Sequence, residues 1–506
     1  MKRKWDEKTH AERNKYLKNP NFLIVKKLGF EKLAKSQHCI RKSLVPLKQV
    51  EIDKLSGMRF MPKPNGLRPI ILVKKGDLTS IEIKKCKLLL NELSKKYKLC
   101  SDMETEWANI CSHSKNKPIY FVKTDFKDAY GSIRHQKLLK LLKDDLKQSP
   151  KIFKFRQYRA LKESPNLSNK PKYRYIHLDE NGYPTENLRE RNRIYLQSGE
   201  DLLITCVMVY NLISRFLKTQ VIQFDKKTRI LLQCGIAQGA VLSAAICEYY
   251  LSALCHSYLQ SFIGEDSKLF RYVDDLLFVS TSKKKAKTFL KKIEKGFINY
   301  NLKISAEKTL HNLNDKPIRF SYRGITICSS SFQPLISVSS IPGLDQRYIF
   351  SIIQHRNLNE YFAKRLTSIS RNEFQSFLVN PKYASHASIV ANIWRLGISI
   401  AAKLESIMFY INERKLIFDC KLFSEMFNKI GFQLWRKIKH VWTSDNNCEL
   451  KHSSETVKVA LVGGVLSIIG KSQSINCGEL KYKLKKLYKC NLHQIPDEIK
   501  HVYFYL

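Results

Sequence analysis

Leu269-Phe270-Arg271-Tyr272-Val273-Asp274-Asp275-Leu276-Leu277-Phe278-Val279 is an apolar run broken at its centre by two adjacent acids. Burying such a pair without cations costs several kcal/mol. A hairpin resolves the conflict, because both arms enter a sheet and the acids stand at its tip. Carboxylate oxygens at such a tip suit hard divalent cations, Mg²⁺ in particular. Two metals about 4 Å apart need a further carboxylate from another strand. Asp125, at the end of the apolar stretch Ile119–Phe126, meets that need. A lone Asp-Asp pair also suits a polar β-turn, so the reading depends on its surroundings.

Upstream, Phe121-Val122-Lys123-Thr124-Asp125-Phe126-Lys127-Asp128-Ala129-Tyr130 is a largely apolar strand, an acid and an aromatic five residues on. Gly235-Ile236-Ala237-Gln238-Gly239 forms a turn ahead of Ala240–Leu259, a helix rich in small residues. Downstream come Leu302-Lys303-Ile304-Ser305-Ala306-Glu307-Lys308-Thr309 and Tyr322-Arg323-Gly324, the latter inside the strand pair Phe320–Cys328. Near the start, Arg59–Pro62 and Arg68–Val73 read as strands joined by Lys63-Pro64-Asn65-Gly66, and Asn-Gly between such runs signals a hairpin. Helical periodicity marks Leu78–Tyr97, Ile133–Leu142, Leu202–Leu217 and Ala286–Tyr300. Residues 145–200 are polar, with prolines at 150, 165, 171 and 184, and predict a loop-rich insertion. Beyond about residue 345 the pattern is helical through Ala384–Asn412 and Phe423–Val441 to the basic stretch Leu480–Tyr488. The expected fold class is α+β.

Charge points to a polyanionic partner. Lys and Arg number 89 against 45 Asp and Glu, a net +44 spread along all 506 residues. Such an excess repels itself unless phosphates neutralise it. The 13 cysteines include no Cys-x-x-Cys pair, so no zinc site is expected and a reducing compartment is. The apolar runs Leu202–Tyr210 and Val459–Ile469 fall short of the roughly 18 residues of a membrane span, and no signal peptide follows Met1-Lys2-Arg3-Lys4. No membrane partner is expected.

The order of these stretches resembles palm motifs A to E of reverse transcriptases. The resemblance implies a right-hand polymerase with fingers, palm and thumb. It also implies a two-metal mechanism in which Asp125, Asp274 and Asp275 bind two Mg²⁺ ions. Tyr130 would lie under the incoming sugar and reject a 2′-hydroxyl, although a core tyrosine fits the same pattern. Gln238 and Gly239 would let backbone approach the template–nucleotide pair. Lys308 would protonate departing pyrophosphate, and Lys63 and Arg68 would grip the triphosphate. Tyr322 and Gly324 would hold the primer end. Val273 ahead of the acid pair, where RNA-directed RNA polymerases carry glycine, argues against that class.

Met58-Arg59-Phe60-Met61-Pro62-Lys63-Pro64-Asn65-Gly66-Leu67-Arg68-Pro69-Ile70 is similar to motifs 1 and 2 of telomerase catalytic subunits. The long gap between Asp125 and Gly235 resembles their insertion in the fingers, and the helical end their thumb extension. This resemblance covers about residues 50–506. It implies fingers and palm over 57–344, the insertion at about 145–200, a helical thumb extension over 345–506, and a remnant of an RNA-binding domain in 1–56. It also implies telomerase RNA, a single-stranded telomeric DNA 3′ end and deoxynucleoside triphosphates as partners, and a nuclear location at chromosome ends. Four residues depart from the family pattern. Ala237 stands where proline is usual and Ala240 where serine is common. Tyr272 is closer to retroviral enzymes, and Arg323 stands where cysteine is frequent. Two other readings are a retroelement reverse transcriptase, Penelope-like or of the group II intron type, and an inactive RNA-binding scaffold. Residues 345–506 show no His/Cys cluster or carboxylate set for a retroelement nuclease. Retained acids argue against the scaffold, which gains nothing from clustered carboxylates.

Overall fold

The structure, a computed structural model, describes residues 57–63, 66–72, 78–100, 103–114, 117–162, 172–188, 193–223, 229–316, 318–329, 332–337, 357–413, 416–443, 453–469 and 477–487. The expected RNA-binding remnant at 1–56 lies outside the described residues.

In chain order the strands are β1 (Gly57–Lys63), β2 (Gly66–Leu72), β3 (Tyr120–Asp125), β4 (Ile152–Lys162), β5 (Lys172–His177), β6 (Arg193–Gln197), β7 (Leu202–Thr205), β8 (Val221–Gln223), β9 (Arg229–Leu231), β10 (Ser267–Tyr272), β11 (Asp275–Ser280), β12 (Leu310–His311), β13 (Arg319–Tyr322), β14 (Ile325–Cys328) and β15 (Pro334–Ile336). With the helices below, they make an α+β fold. Packing divides the chain into two units. The first takes in residues up to Leu99, Asp125–Phe262 and Phe289–Glu307, and the second Cys100–Thr124, Ile263–Thr288 and Lys308 onward.

The first unit is built around the helix Ser243–Leu259, buried on nearly every side, including Ile246, Cys247, Tyr249, Tyr250 and Leu254. A helix that is apolar all round belongs at a centre. Ser80–Lys95 packs against it. That helix starts at a capping box, where the Thr79 hydroxyl accepts from the Glu82 amide and the Glu82 carboxylate accepts from the Thr79 amide. Helices His135–Lys147 and Cys206–Lys218 pack on each other and belong to the same unit. The β1–β2 hairpin signalled by Asn-Gly forms, but Lys63 lies opposite Gly66, so both belong to the strands rather than to the joining segment.

The insertion corrects the sequence reading. Residues expected to be loop-rich hold a four-stranded antiparallel sheet in which β4 pairs with β5, β6 and β7. Arg156 of β4 donates to Asp201 at 2.8 and 3.0 Å, which fastens the strand to the chain just ahead of β7. The predicted helix Leu202–Leu217 is strand up to Thr205, whose hydroxyl then caps the helix through the Met208 amide.

The second unit holds the sheet β10-β11-β3-β12, the antiparallel sheet β13-β14-β15, and the C-terminal helices Leu358–Glu373, His386–Glu413, Cys420–Thr443, Ser454–Ile469 and Cys477–Leu487. One apolar core joins them, running from Trp107 and Phe121 through Phe270, Leu277 and Ile327 to Leu404, Phe427 and Leu461. Trp107 comes from the helix Met103–His113, which periodicity did not reveal. His386–Glu413 and Ser454–Ile469 meet backbone to backbone, since a Cβ on Gly464 would fall 2.1 Å from the Trp394 carbonyl oxygen. One helix passes a length and composition test that the uninterrupted apolar runs do not. His386–Glu405 is long and apolar enough to cross a bilayer by length and composition, but 72% of its most apolar window is buried within the protein, as in a core helix.

Candidate active site

In the acid-tipped hairpin, β10 and β11 pair from Ser267–Ser280 to Tyr272–Asp275, leaving Val273 and Asp274 as a two-residue turn. Val273 has φ +55°, which a β-branched residue adopts only under strain. The Arg271 guanidinium braces the turn by donating to the Val273 carbonyl at 2.9 Å. Behind the tip, Leu276, Leu277, Phe278 and Val279 are all buried. The apolar run therefore fixes the hairpin in the core and holds Asp274 and Asp275 at its half-buried end.

β3 is the sheet neighbour of β11. Its apolar residues, Phe121 and Val122, are fully buried, and Lys123 is half-buried. The Lys123 ammonium lies 3.3 Å from the Asp275 carboxylate. Residues two apart on a strand share a face, so Lys123 and Asp125, the last residue of β3, lie on one side. At Asp125 the chain passes into the first unit. There its carbonyl accepts from the Ser305 amide at 2.8 Å, and Lys127 donates to the Lys303 carbonyl at 2.8 Å. This pairing stitches 302–305 to the chain leaving β3. Asp125 itself is 7% exposed.

The loop after Asp125 is sewn to the turn Gly235–Gly239. The Gly235 amide donates to Ile133 at 2.8 Å and the Ile236 amide to Tyr130 at 2.9 Å. Gly235 has φ +79°, and a Cβ there would fall 2.7 Å from the Gly131 Cα. Both the backbone conformation and the close approach require glycine. His135 Nε2 lies 2.6 Å from the Gly235 carbonyl. Burial, partly offset by that contact, holds the His135 pKa below the usual histidine value. The structure thus brings Tyr130, half-buried, to the strip that carries Gln238 and Gly239.

The remaining candidates are spread over other elements. Lys63 and Arg68 flank the β1–β2 tip, Lys63 on its last rung and Arg68 opposite Met61. Lys308 is exposed at the end of the short 3₁₀ turn Ala306–Lys308. Tyr322 is 1% exposed, and its ring belongs to the core of the second unit. Beside it Arg323 and Gly324, at φ +52° and +75°, form an exposed two-residue turn. Arg323 lies 4.7 Å above the Tyr272 ring, so two of the residues that depart from the family pattern touch. Sequence reasoning missed Lys123 and Arg271. The one cation in an otherwise apolar strand, two residues before Asp125, was the available signal for Lys123.

The carboxylates suit a hard divalent cation, and Lys123 shows that the Asp275 position accepts positive charge. Among the described residues no three His, Cys, Asp or Glu side chains gather into one metal-sized group.

Residues 189–327 match the family model for reverse transcriptase (RNA-dependent DNA polymerase), which places this segment in the reverse-transcriptase class. Within that class the chain resembles telomerase reverse transcriptase. It is 25% identical over 393 residues to that protein of Takifugu rubripes, covering 68% of this chain and 36% of the relative. It is 27% identical over 301 residues to that of Arabidopsis thaliana, covering 52% and 26%. The chain thus spans about a third of the length of the first of these relatives. Its fold is similar to a Candida albicans telomerase solved with a TWJ fragment of telomeric RNA. The TM-score is 0.58 at 15% identity, covering 92% of this chain and 69% of that one.

Proposed function

We propose that this chain is an RNA-directed DNA polymerase of the telomerase type, adding deoxynucleotides to chromosome 3′ ends on an RNA template. The observation that carries the reading is the acid-tipped β10–β11 hairpin beside β3, whose last residue is Asp125. In this reading Asp125, Asp274 and Asp275 hold two Mg²⁺ ions. Bound there, the metals would activate the primer 3′-hydroxyl and stabilise the leaving pyrophosphate. Lys308 supplies a proton to that pyrophosphate. Tyr130 packs beneath the sugar, and the Gln238–Gly239 backbone admits the template–nucleotide pair. Lys63 and Arg68 hold the triphosphate. Because the Tyr322 ring is buried, the primer grip falls to the turn at Arg323 and Gly324. The net charge of +44 suits an RNA–DNA hybrid and a telomerase RNA partner, and the nucleus is the compartment this function requires.

The test is primer extension on a preformed RNA–DNA hybrid with deoxynucleotides and Mg²⁺. The chain should extend the primer, and folded Asp274→Ala should not. Substantial extension by that variant would remove the basis of the assignment.

A further inference from the structure

Ala237 is 3% exposed, so its backbone amide is shut away from water. A buried amide without a partner is costly, and this one donates to Gln220 Oε1 at 2.7 Å. Gln220 is itself 8% exposed. Three successive amides of the turn, those of Gly235, Ile236 and Ala237, donate in different directions. The first two reach carbonyls in the loop after Asp125. The third reaches a side chain, and only there does the partner's identity matter. The Ala237 carbonyl accepts from the Ser243 hydroxyl at 2.7 Å, which ties the turn to the head of the central helix. Half-buried Phe216 and Leu232 pack against Ala237 and Ala240. Gln220 is fixed in turn, since its carbonyl accepts from the Leu232 amide at 3.1 Å.

We propose that Gln220 is a positioning residue for the nucleotide site. It holds the amide one residue before Gln238 and so sets the height of the Gln238–Gly239 backbone under the incoming nucleotide. Ala237 and Gln220 form a matched pair. Proline at 237 would have no N–H and would need no acceptor, whereas alanine brings a donor that Gln220 satisfies. The inference rests on the polymerase reading above.

The experiment measures nucleotide KM in primer extension at saturating hybrid, with hybrid Kd measured separately. Gln220→Ala should raise nucleotide KM roughly tenfold, the scale of one buried hydrogen bond lost, and leave hybrid Kd unchanged. Gln220→Leu should fail like Gln220→Ala, and adding Ala237→Pro to it should recover nucleotide KM, because donor and acceptor then leave together. This pair of variants also decides the matter if Gln220→Ala does not fold. A nucleotide KM within twofold of the parent in Gln220→Ala would overturn the inference, as would an equal rise in hybrid Kd or no recovery in the double variant. Absence of extension by the parent chain would overturn the polymerase reading itself, and this assignment with it.

Discussion

Replacing Gly235 with alanine should cost the first unit about 3–4 kcal/mol. The left-handed backbone at φ +79° contributes about 1–2 kcal/mol of this for any residue with a Cβ. The rest follows from the close approach. The new Cβ would sit 2.7 Å from the Gly131 Cα and 2.8 Å from its carbonyl oxygen, and both are backbone atoms that cannot swing aside. Relief requires the two loops to part. That breaks the Gly235–Ile133 and Ile236–Tyr130 hydrogen bonds, worth about 1 kcal/mol each. Gly182 supplies the control. It lies in the same unit at φ +82° with nothing within 4 Å of a built Cβ. Gly182→Ala should therefore cost only the conformational part, about 1–2 kcal/mol. Guanidinium unfolding of both variants measures the difference, since equal slopes allow midpoints to be converted to free energies. If Gly235→Ala proves no more destabilising than Gly182→Ala, the loops are not in the contact described, and the sewn strip between Tyr130 and Gln238 does not exist as argued.

Tyr130→Ala should raise ribonucleotide use relative to deoxynucleotide use in primer extension, and an unchanged ratio with activity retained would return Tyr130 to an ordinary packing role. Buried His135 resists protonation, so between its lowered folded pKa and the ordinary 6.5 the unfolded chain binds more protons. Stability is thus full above pH 6.5 and declines as pH falls through the folded pKa. Unfolding midpoints at pH 7.5 and 5.5 should show the decline, and His135→Gln should flatten it. Affinity for an RNA–DNA hybrid should fall roughly 10³-fold or more between 50 and 200 mM salt if six or more phosphates are neutralised, and a shallow dependence in a binding titration would count against an electrostatic grip.

The parts of the fold that were legible in the sequence are those whose signals are local. The β1–β2 hairpin followed from Asn-Gly, and the β10–β11 hairpin from acids that an apolar run cannot bury. The insertion was misread because its prolines and polar composition outweighed its strand signals. On β4 buried Phe153 and Phe155 flank Lys154 and buried Tyr158 and Ala160 flank exposed Arg159, an alternation that could have been read, whereas on β6 Ile194 and Leu196 are exposed and give no clean pattern. The long helix His386–Glu413 escaped a count of apolar runs because Asn392 and Arg395 interrupt it. Both are anchored by tertiary partners. The Asn392 side chain bonds Ile336, Pro334 and Leu378, and Arg395 donates to the Ile336 carbonyl. The pairing of Lys123 with Asp275 and of Gln220 with Ala237 likewise depends on chain crossings that no local pattern encodes.

The second unit draws its core from Cys100–Thr124, Ile263–Thr288 and the chain from Lys308 onward. Order of synthesis therefore matters. Trp107 leaves the ribosome long before Phe377, against which its ring packs at 5.7 Å. Phe121 and Phe270 also enter a core completed only by the C-terminal helices. Until those helices are made, large aromatic side chains have no cover, which invites aggregation and a need for chaperones. Pairings so distant along the chain also slow folding, because loop closure must precede any gain from contact. A chain halted near residue 344 would leave this core open, so two separately expressed halves should stay in solution only when produced together.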